Sequence, residues 1–199
     1  MGTGGTISSV GKDSLDTIDY VTGGQGEQQI YTVDELLEQV PEAVSVADVT
    51  AVPFRTVPST EIGPPVWLEL LELLHRVDAE QGERLDGIVI THGTASLEET
   101  VSPILTCGGL PASQGTGGQA YFLSLTLKLT VPVVLVGSQR PVSGLSSDAG
   151  MNLVCALRVA GAPDSRGLGV LVRQPSPPQA ATLTWPWPLT QQLGPGGFE

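Results

Sequence analysis

Basic residues are scarce in this chain of 199 residues. Nine lysines and arginines stand against 21 aspartates and glutamates, which gives a formal net charge of −12. Such a surplus of negative charge repels phosphate backbones and anionic lipid headgroups. The composition therefore argues against nucleic acids and membrane surfaces as partners.

Long apolar runs and cysteines are scarce as well. No stretch approaches the roughly 20 apolar residues of a membrane helix, and the start lacks a basic segment followed by an apolar run. Cys107 and Cys155 are too few for a disulfide framework and have no metal-ligand spacing around them, so each is expected to be an unpaired thiol. We expect a soluble, cytoplasmic protein without a metal site.

The apolar patterns that are present predict alternating strands and helices. Thr32 and Glu35 have the spacing of a capping box, which predicts a short helix over 31–41. Helical patterns also cover 64–77, a stretch from Ser96, and the stretch from Ser147 or Asp148 to Ala160. Buried-type strands are predicted at 87–90, 131–136 and 169–172. This alternation predicts one domain over 1–172, with a parallel sheet flanked by helices in three layers.

Two stretches depart from this pattern. The glycines and prolines of residues 101–119 cannot continue the helix from Ser96, and deleting that stretch restores a helix-compatible run. A valine codon begins with GT and a glutamine codon can be CAG, so one hypothesis is a retained in-frame intron. Residues 173–199 form a proline-rich tail that we expect to be disordered. The alternative for the tail is a proline-rich ligand for a groove-type module.

Four motifs together resemble the bacterial-type L-asparaginase family. They are T-G-G-T-I at 3–7, T-I-D-Y at 17–20, T-H-G-T-A-S-L-E-E-T at 91–100 and G-S-Q-R-P…S-S-D-A-G-M-N-L at 137–153. The resemblance covers 3–172 apart from the insertion and implies the family's N-terminal domain, a flavodoxin-like or Rossmann-like α/β fold. It also implies hydrolysis of L-asparagine, with L-glutamine as a further substrate, by a homodimer or homotetramer without metal or cofactor.

The first two motifs contain the nucleophile that the resemblance implies. Gly4 and Gly5 let the backbone turn closely before Thr6, although T-G-G-T taken alone indicates only a turn. By resemblance, Thr6 is the nucleophile that forms an acyl-enzyme. Tyr20, fourteen positions later, is the phenol on the loop that helps to activate it.

The third motif places a threonine between a predicted strand and a predicted helix. Free N–H groups at a helix N-terminus favour a carboxylate or an oxyanion. By resemblance, Thr94 is the second catalytic threonine and works with a lysine on the attacking water. The alternative is that Thr94 merely ends a strand. We expect His92 to be a hydrogen-bonded loop residue rather than a base, and His75 to be a surface residue.

The substrate contacts also follow from the resemblance. Ser59 and Thr60 precede Trp67 as the family's substrate-binding loop precedes its own tryptophan, and would hold the substrate's α-carboxylate. Ala95 stands where most of the family has the aspartate that pairs with the α-ammonium, although a related subgroup carries H-G-T-A. Asp148 is open to two interpretations, as a helix cap or structural contact and as a substrate contact.

The resemblance has gaps at both ends. Only Met1 and Gly2 precede Thr3, where the family has a central strand, so we expect unpaired backbone groups on two neighbours and a tendency to aggregate. The family's catalytic lysine loop and its C-terminal domain are absent, and Lys128 lies too far along the chain from that loop to replace the lysine. The alternative function is therefore an inactive fragment or alternative product that associates with full-length subunits. A Rossmann-type nucleotide-binding module lacks the required G-x-G-x-x-G spacing.

Overall fold

The computed structural model describes residues 1–21, 29–58, 61–81, 84–94, 123, 126–129, 131–173 and 183–184. Its strands are β1 (Ser9–Val10), β2 (Gln29–Ile30), β3 (Ile88–Thr91), β4 (Val133–Val136), β5 (Val170–Arg173) and β6 (Leu183–Thr184). Its α-helices are α1 (Val33–Gln39), α2 (Pro64–Gln81) and α3 (Ala149–Ala160). Short 3-10 helices are formed by Thr6–Ser8, Asp19–Val21, Pro41–Ser45 and Pro163–Ser165.

The main sheet has the order β3-β4-β5-β6. Strands β3, β4 and β5 run parallel, and Ile88, Val133 and Val170 lie side by side in register. The smaller β1 and β2 form a separate antiparallel pair. Each of the three predicted strands is therefore present, within two residues of its predicted start.

Helices cover both faces of this sheet. One set of alternating strand residues packs with Leu70 and Leu74 of α2, and the opposite set packs with α1 and α3. Residues of the α2 face are Ile88, Ile90, Val133, Leu135, Val170 and Val172, and those of the other face are Val134, Val136 and Leu171. Strands buried on both faces are typical of parallel sheets. The predicted three-layer α/β fold is confirmed.

The helix starts follow local sequence signals. The Oγ1 of Thr32 accepts the N–H of Glu35 at 3.3 Å, and a Glu35 carboxylate oxygen accepts the N–H of Thr32 at 2.8 Å, so the capping box is formed. At the start of α3, the Ser147 hydroxyl accepts the N–H of Ala149 at 3.2 Å. Among the helices of the described residues, none has the length and apolar content needed to span a membrane.

The first residues of the chain extend the sheet beyond β3. The N–H of Thr91 donates to the Met1 carbonyl at 3.0 Å, and the N–H of Thr3 donates to the Thr91 carbonyl at 3.0 Å. The Met1 amine donates to the Val89 carbonyl at 2.8 Å, and burial lowers the pKa of this amine to about 6. On the other side, the N–H of Val57 donates to the Thr3 carbonyl at 3.4 Å. The expectation of unpaired neighbours was therefore wrong at these positions, because Met1 itself reaches the strand.

Part of the proline-rich tail has regular structure. Leu183–Thr184 pairs antiparallel with Val172 and Arg173 and forms β6 at the edge of the sheet. Proline has no backbone N–H to donate, and it is tolerated at an edge strand because one side of that strand forms no hydrogen bonds within the sheet. The rest of the tail and the predicted insertion at 101–119 lie outside the described residues, so the division into domains stays a prediction.

Candidate active site

Two glycines turn the chain away from the sheet just before Thr6. Gly4 and Gly5 have φ values of 89° and 82°, which side chains rarely tolerate. A Cβ on Gly5 would also lie 2.2 Å from the Cα of Gly93. The backbone of the first motif therefore lies directly against the T-H-G-T motif, and Thr6 follows this contact as the first residue of a 3-10 turn.

The Thr6 hydroxyl is in contact with a phenol. Its Oγ1 lies 3.2 Å from the Oη of Tyr20, and both side chains are half-buried. This separation is slightly longer than a typical O–H···O hydrogen bond. Contacts between catalytic groups are often loose without substrate and tighten when it binds. The structure thus brings together the two residues predicted from the first two motifs.

Tyr20 is the last residue of what we call the tyrosine loop, residues 11–20. Asp16 is buried in this loop, and its carboxylate accepts the N–H groups of Lys12 at 3.1 Å, Ile18 at 3.3 Å and Asp19 at 2.8 Å. Burial alone would raise the pKa of this carboxyl, but these backbone donors hold it below its ordinary value. The loop is therefore organised around a carboxylate.

His92 lies under the site and is fully buried. Its backbone N–H donates to the Val136 carbonyl at 2.8 Å, and its ring Nδ1 lies 2.9 Å from the Gly93 carbonyl oxygen. Burial lowers the pKa of the imidazole to about 4, against a smaller opposing effect of the Gly93 contact. A neutral, enclosed ring fits the expected structural histidine. Thr94 is half-buried and has helical backbone conformation. His75 is exposed, as expected.

Asp148 fixes the loop that precedes α3. Its carboxylate accepts the N–H groups of Gln139 and Arg140, each at 3.0 Å, and the side-chain amide of Asn152 at 2.8 Å. It makes no bond to the N–H groups of its own helix. Of the two interpretations of Asp148, the geometry fits the structural contact.

This loop also contacts the tyrosine loop. The N–H of Gly11 donates to the Oγ of Ser143 at 2.9 Å, and the N–H of Leu145 donates to the carbonyl of Ser14 at 2.8 Å. The fourth motif therefore supports the loop that ends at Tyr20, although it contributes no group to the Thr6 contact among the described residues.

The predicted substrate-binding residues lie outside the described residues. This applies to Ser59, Thr60 and Ala95 alike. Their described neighbours are Pro58 and Glu61, joined by a hydrogen bond of 3.0 Å from the Glu61 N–H to the Pro58 carbonyl, and the half-buried Thr94. The roles of the three residues stay predictions.

Sequence reasoning missed three contributors to this region. These are Asp16 inside the tyrosine loop, Ser143 beside it and Gly93 beneath Gly5. A signal for Asp16 was present, since aspartates at 13, 16 and 19 favour side-chain-to-backbone turns. No comparable local signal marks Ser143 or Gly93, because their partners lie far away along the chain.

Comparison with known proteins decides the family. A family model described as "Asparaginase, N-terminal" matches residues 1–107 and 118–174. The chain belongs to the asparaginase family. The resemblance inferred from the four motifs is confirmed, and the unmatched residues 108–117 fall inside the predicted insertion.

Curated relatives agree over most of this asparaginase-family chain. It is 38% identical over 172 residues to L-asparaginase 2 of Bacillus subtilis, a match that covers 86% of this chain and 39% of that protein. It is 35% identical to the glutaminase-asparaginase of Pseudomonas fluorescens, over 86% of this chain and 40% of that protein. The chain thus spans about two fifths of the length of these relatives.

A solved structure shows the same fold. The probable cytoplasmic L-asparaginase of Campylobacter jejuni superposes with a TM-score of 0.63 at 28% sequence identity. The match covers 86% of this chain and 43% of that one. The α/β architecture is therefore that of the asparaginase N-terminal domain.

Proposed function

We propose that this chain hydrolyses the side-chain amide of L-asparagine, and as a second substrate that of L-glutamine, with Thr6 as the nucleophile. The contact of 3.2 Å between the Thr6 hydroxyl and the Tyr20 phenol carries this proposal. A hydroxyl on a tight turn beside a group that can exchange its proton is the arrangement that nucleophilic catalysis requires. The names of the relatives, L-asparaginase and glutaminase-asparaginase, support the choice of substrates.

The proposed reaction has two steps. The Thr6 oxygen bonds to the amide carbon, the C–N bond breaks, and ammonia leaves with the hydroxyl proton. Water then adds to the resulting ester, the bond to Thr6 breaks, and the acid is released while the hydroxyl is restored. In both steps Tyr20 is proposed to relay the proton, because its hydroxyl can donate and accept.

Thr94 is proposed as the second threonine of the site, which positions the water. The contact between Gly5 and Gly93 supports this role, since Thr6 and Thr94 each follow one of the touching glycines. Both threonines are half-buried. This exposure would let a substrate reach them while the surrounding protein keeps most of the water away.

Substrate recognition is proposed for three further residues. Ser59 and Thr60 would hold the α-carboxylate of the amino acid through their hydroxyl groups. Ala95 would lie beside the substrate, but its methyl group carries no charge. Recognition of the α-ammonium must then depend on another group.

Ammonia release from L-asparagine and L-glutamine by the purified chain tests the proposal. The expected result is release that is lost in Thr6→Ala and retained in Thr50→Ala, which removes an exposed threonine elsewhere. Trapping of an ester on Thr6, detected by mass spectrometry of the denatured protein, would identify the nucleophile. Folded protein that releases no ammonia would favour the alternative, a catalytically inactive chain that associates with full-length subunits.

Assembly and location are proposed with the same reaction. We propose a homodimer or homotetramer, to be tested by light scattering on the purified chain. We propose the cytoplasm as the compartment, although relatives differ, since one from Haemophilus influenzae is named as probable periplasmic. Cell fractionation would decide between the two compartments.

A further inference from the structure

We propose that Asp16 is a positioning residue, whose buried carboxylate organises the tyrosine loop so that the Tyr20 phenol is held against Thr6. This inference rests on the proposed function for its effect on hydrolysis. Whether Asp16 holds the Tyr20 ring in place can be tested without measuring hydrolysis. The hydrogen bonds of the Asp16 carboxylate go to backbone groups of the loop and not to Thr6, so we expect Asp16 to act only through Tyr20.

The carboxylate joins the two ends of the tyrosine loop. Its Oδ2 accepts the N–H of Lys12, at the start of the loop. Its Oδ1 accepts the N–H groups of Ile18 and Asp19, and Asp19 begins the 3-10 turn that contains Tyr20. These bonds fix where that turn starts, and therefore where its second residue points.

Burial distinguishes Asp16 from the other aspartates of the loop. Asp16 is 7% exposed, whereas Asp13 and Asp19 are exposed. Loss of a buried carboxylate leaves the N–H groups that donate to it without partners, and water cannot easily take its place. Water can replace an exposed carboxylate. Substitution of Asp16 is therefore expected to disturb the loop more than substitution of either exposed aspartate.

The surroundings leave the carboxylate little freedom. A Cβ on Gly11 would lie 2.9 Å from the Cβ of Asp16, so the loop closes tightly on it. The outer side of the loop is held by Ser143 and Leu145 through their bonds to Gly11 and Ser14. These bonds hold the first half of the loop. The second half ends in the turn that contains Tyr20, and Asp16 holds this turn through the N–H of Asp19.

A double-mutant cycle tests whether Asp16 acts through Tyr20. We expect Asp16→Ala to lower kcat for L-asparagine on the order of tenfold, since it misplaces a proton-transfer group worth about 10²-fold or more rather than removing it. KM should change little, because no substrate contact is lost. In a Tyr20→Phe background the same substitution should cost nothing further, because its only target is gone. The matched control Asp13→Asn, at an exposed carboxylate three residues earlier, keeps the oxygen that accepts the N–H groups of Leu15 and Asp16 and should stay within about twofold.

A spectroscopic readout separates this proposal from the proposed function. The chain has three tyrosines, so 3-fluorotyrosine labelling gives three fluorine resonances, and Tyr20→Phe identifies the one from residue 20. Asp16→Ala should shift or broaden that resonance and leave the other two in place, whereas Asp13→Asn should leave all three. A parent chain that releases no ammonia would refute the proposed function. The fluorine spectrum would still test whether Asp16 positions the Tyr20 ring.

Two results would overturn the inference. One is a Tyr20 resonance unchanged in Asp16→Ala. The other is a loss of kcat that persists in full in the Tyr20→Phe background, which would assign Asp16 to general stability. If Asp16→Ala does not fold, Asp16→Asn keeps the shape and one acceptor oxygen, and the same two measurements apply with a smaller expected change.

Discussion

The backbone of Gly5 lies so close to that of Gly93 that Gly5 has no room for a side chain. A Cβ on Gly5 would be 2.2 Å from the Cα of Gly93 and 2.5 Å from its nitrogen. Gly5 also has φ 82° and ψ −174°, a conformation that is almost restricted to glycine. The close approach of the two site motifs therefore depends on glycine for two independent physical reasons.

Substitution of Gly5 separates these two reasons. Gly167 has φ 79° but has nothing within 4 Å of its added Cβ, so Gly167→Ala is the matched control. We expect Gly167→Ala to lower the free energy of unfolding by about 1–2 kcal/mol through backbone strain. Gly5→Ala should cost about 1–3 kcal/mol more, because the Cβ meets backbone. Urea unfolding measures both. Equal costs would show that the Gly93 segment moves aside freely.

Removal of the Tyr20 hydroxyl is expected to lower the rate of hydrolysis. Tyr20→Phe keeps the ring and deletes the oxygen that lies 3.2 Å from Thr6. We expect kcat for ammonia release to fall about 10²-fold, as for other lost proton-transfer groups, with KM nearly unchanged. Tyr31→Phe is the control, because Tyr31 packs against the core beside α1 and α3. Full activity in Tyr20→Phe would remove the phenol from the mechanism.

Burial of His92 predicts acid sensitivity of the fold. Because its pKa is about 4 in the fold and 6.5 when unperturbed, the unfolded chain binds more protons between these values. The contribution of the neutral His92 ring to the free energy of unfolding is therefore complete above pH 6.5 and is lost as the pH falls towards 4. The lowered pKa of His92 corresponds to a loss of about 3 kcal/mol of unfolding free energy between pH 6.5 and pH 4.

Unfolding by urea at a series of pH values between 4 and 7 measures this loss. Carboxylates also titrate in this range, so the comparison is with His92→Gln, which should show a shallower slope. His75→Gln removes the exposed histidine and should keep the slope of the parent chain. A parent slope identical to that of His92→Gln would mean that the buried imidazole contributes nothing.

Loss of the Asp148 carboxylate is expected to loosen the support of the tyrosine loop. Asp148→Ala removes the acceptor of the N–H groups of Gln139 and Arg140, and because water can partly replace it at these exposed residues, the loss should cost about 0.5–1.5 kcal/mol of unfolding free energy. Asp164→Ala, at an exposed carboxylate, should change it by less than about 0.5 kcal/mol. Hydrogen exchange at Leu145, whose N–H bonds to Ser14, should become faster in Asp148→Ala alone. An unchanged exchange rate at Leu145 would show that the Asp148 bonds do not support the contact with the tyrosine loop.

Local signals were sufficient for much of the fold. The β-branched runs located β3, β4 and β5, and the Thr32–Glu35 spacing located the start of α1. Helix α2 continues four residues beyond the predicted end at residue 77, since the sequence there has no strong stop signal. These features depend on neighbours a few residues away, which a sequence displays directly.

The site was predictable only in part. The pairing of Thr6 with Tyr20 followed from the family resemblance, and the structure places their oxygens 3.2 Å apart. The Gly5–Gly93 contact depends on how the first residues align with β3, and that register is set by tertiary hydrogen bonds. The Asp16 bonds depend on the backbone path of an irregular loop, which no periodicity encodes.

The pairing of Met1 with β3 has a consequence for the order of folding. Met1 bonds to Val89, which is 88 residues later in the chain. At a synthesis rate of about 5–20 residues per second, the first residues wait roughly 4–18 s for that partner. Contacts of such long range form slowly, and an unoccupied strand edge can pair with other chains. The residues of the first motif are thus synthesised well before the strand with which they pair, and the edge of β3 stays open to aggregation until they are in place.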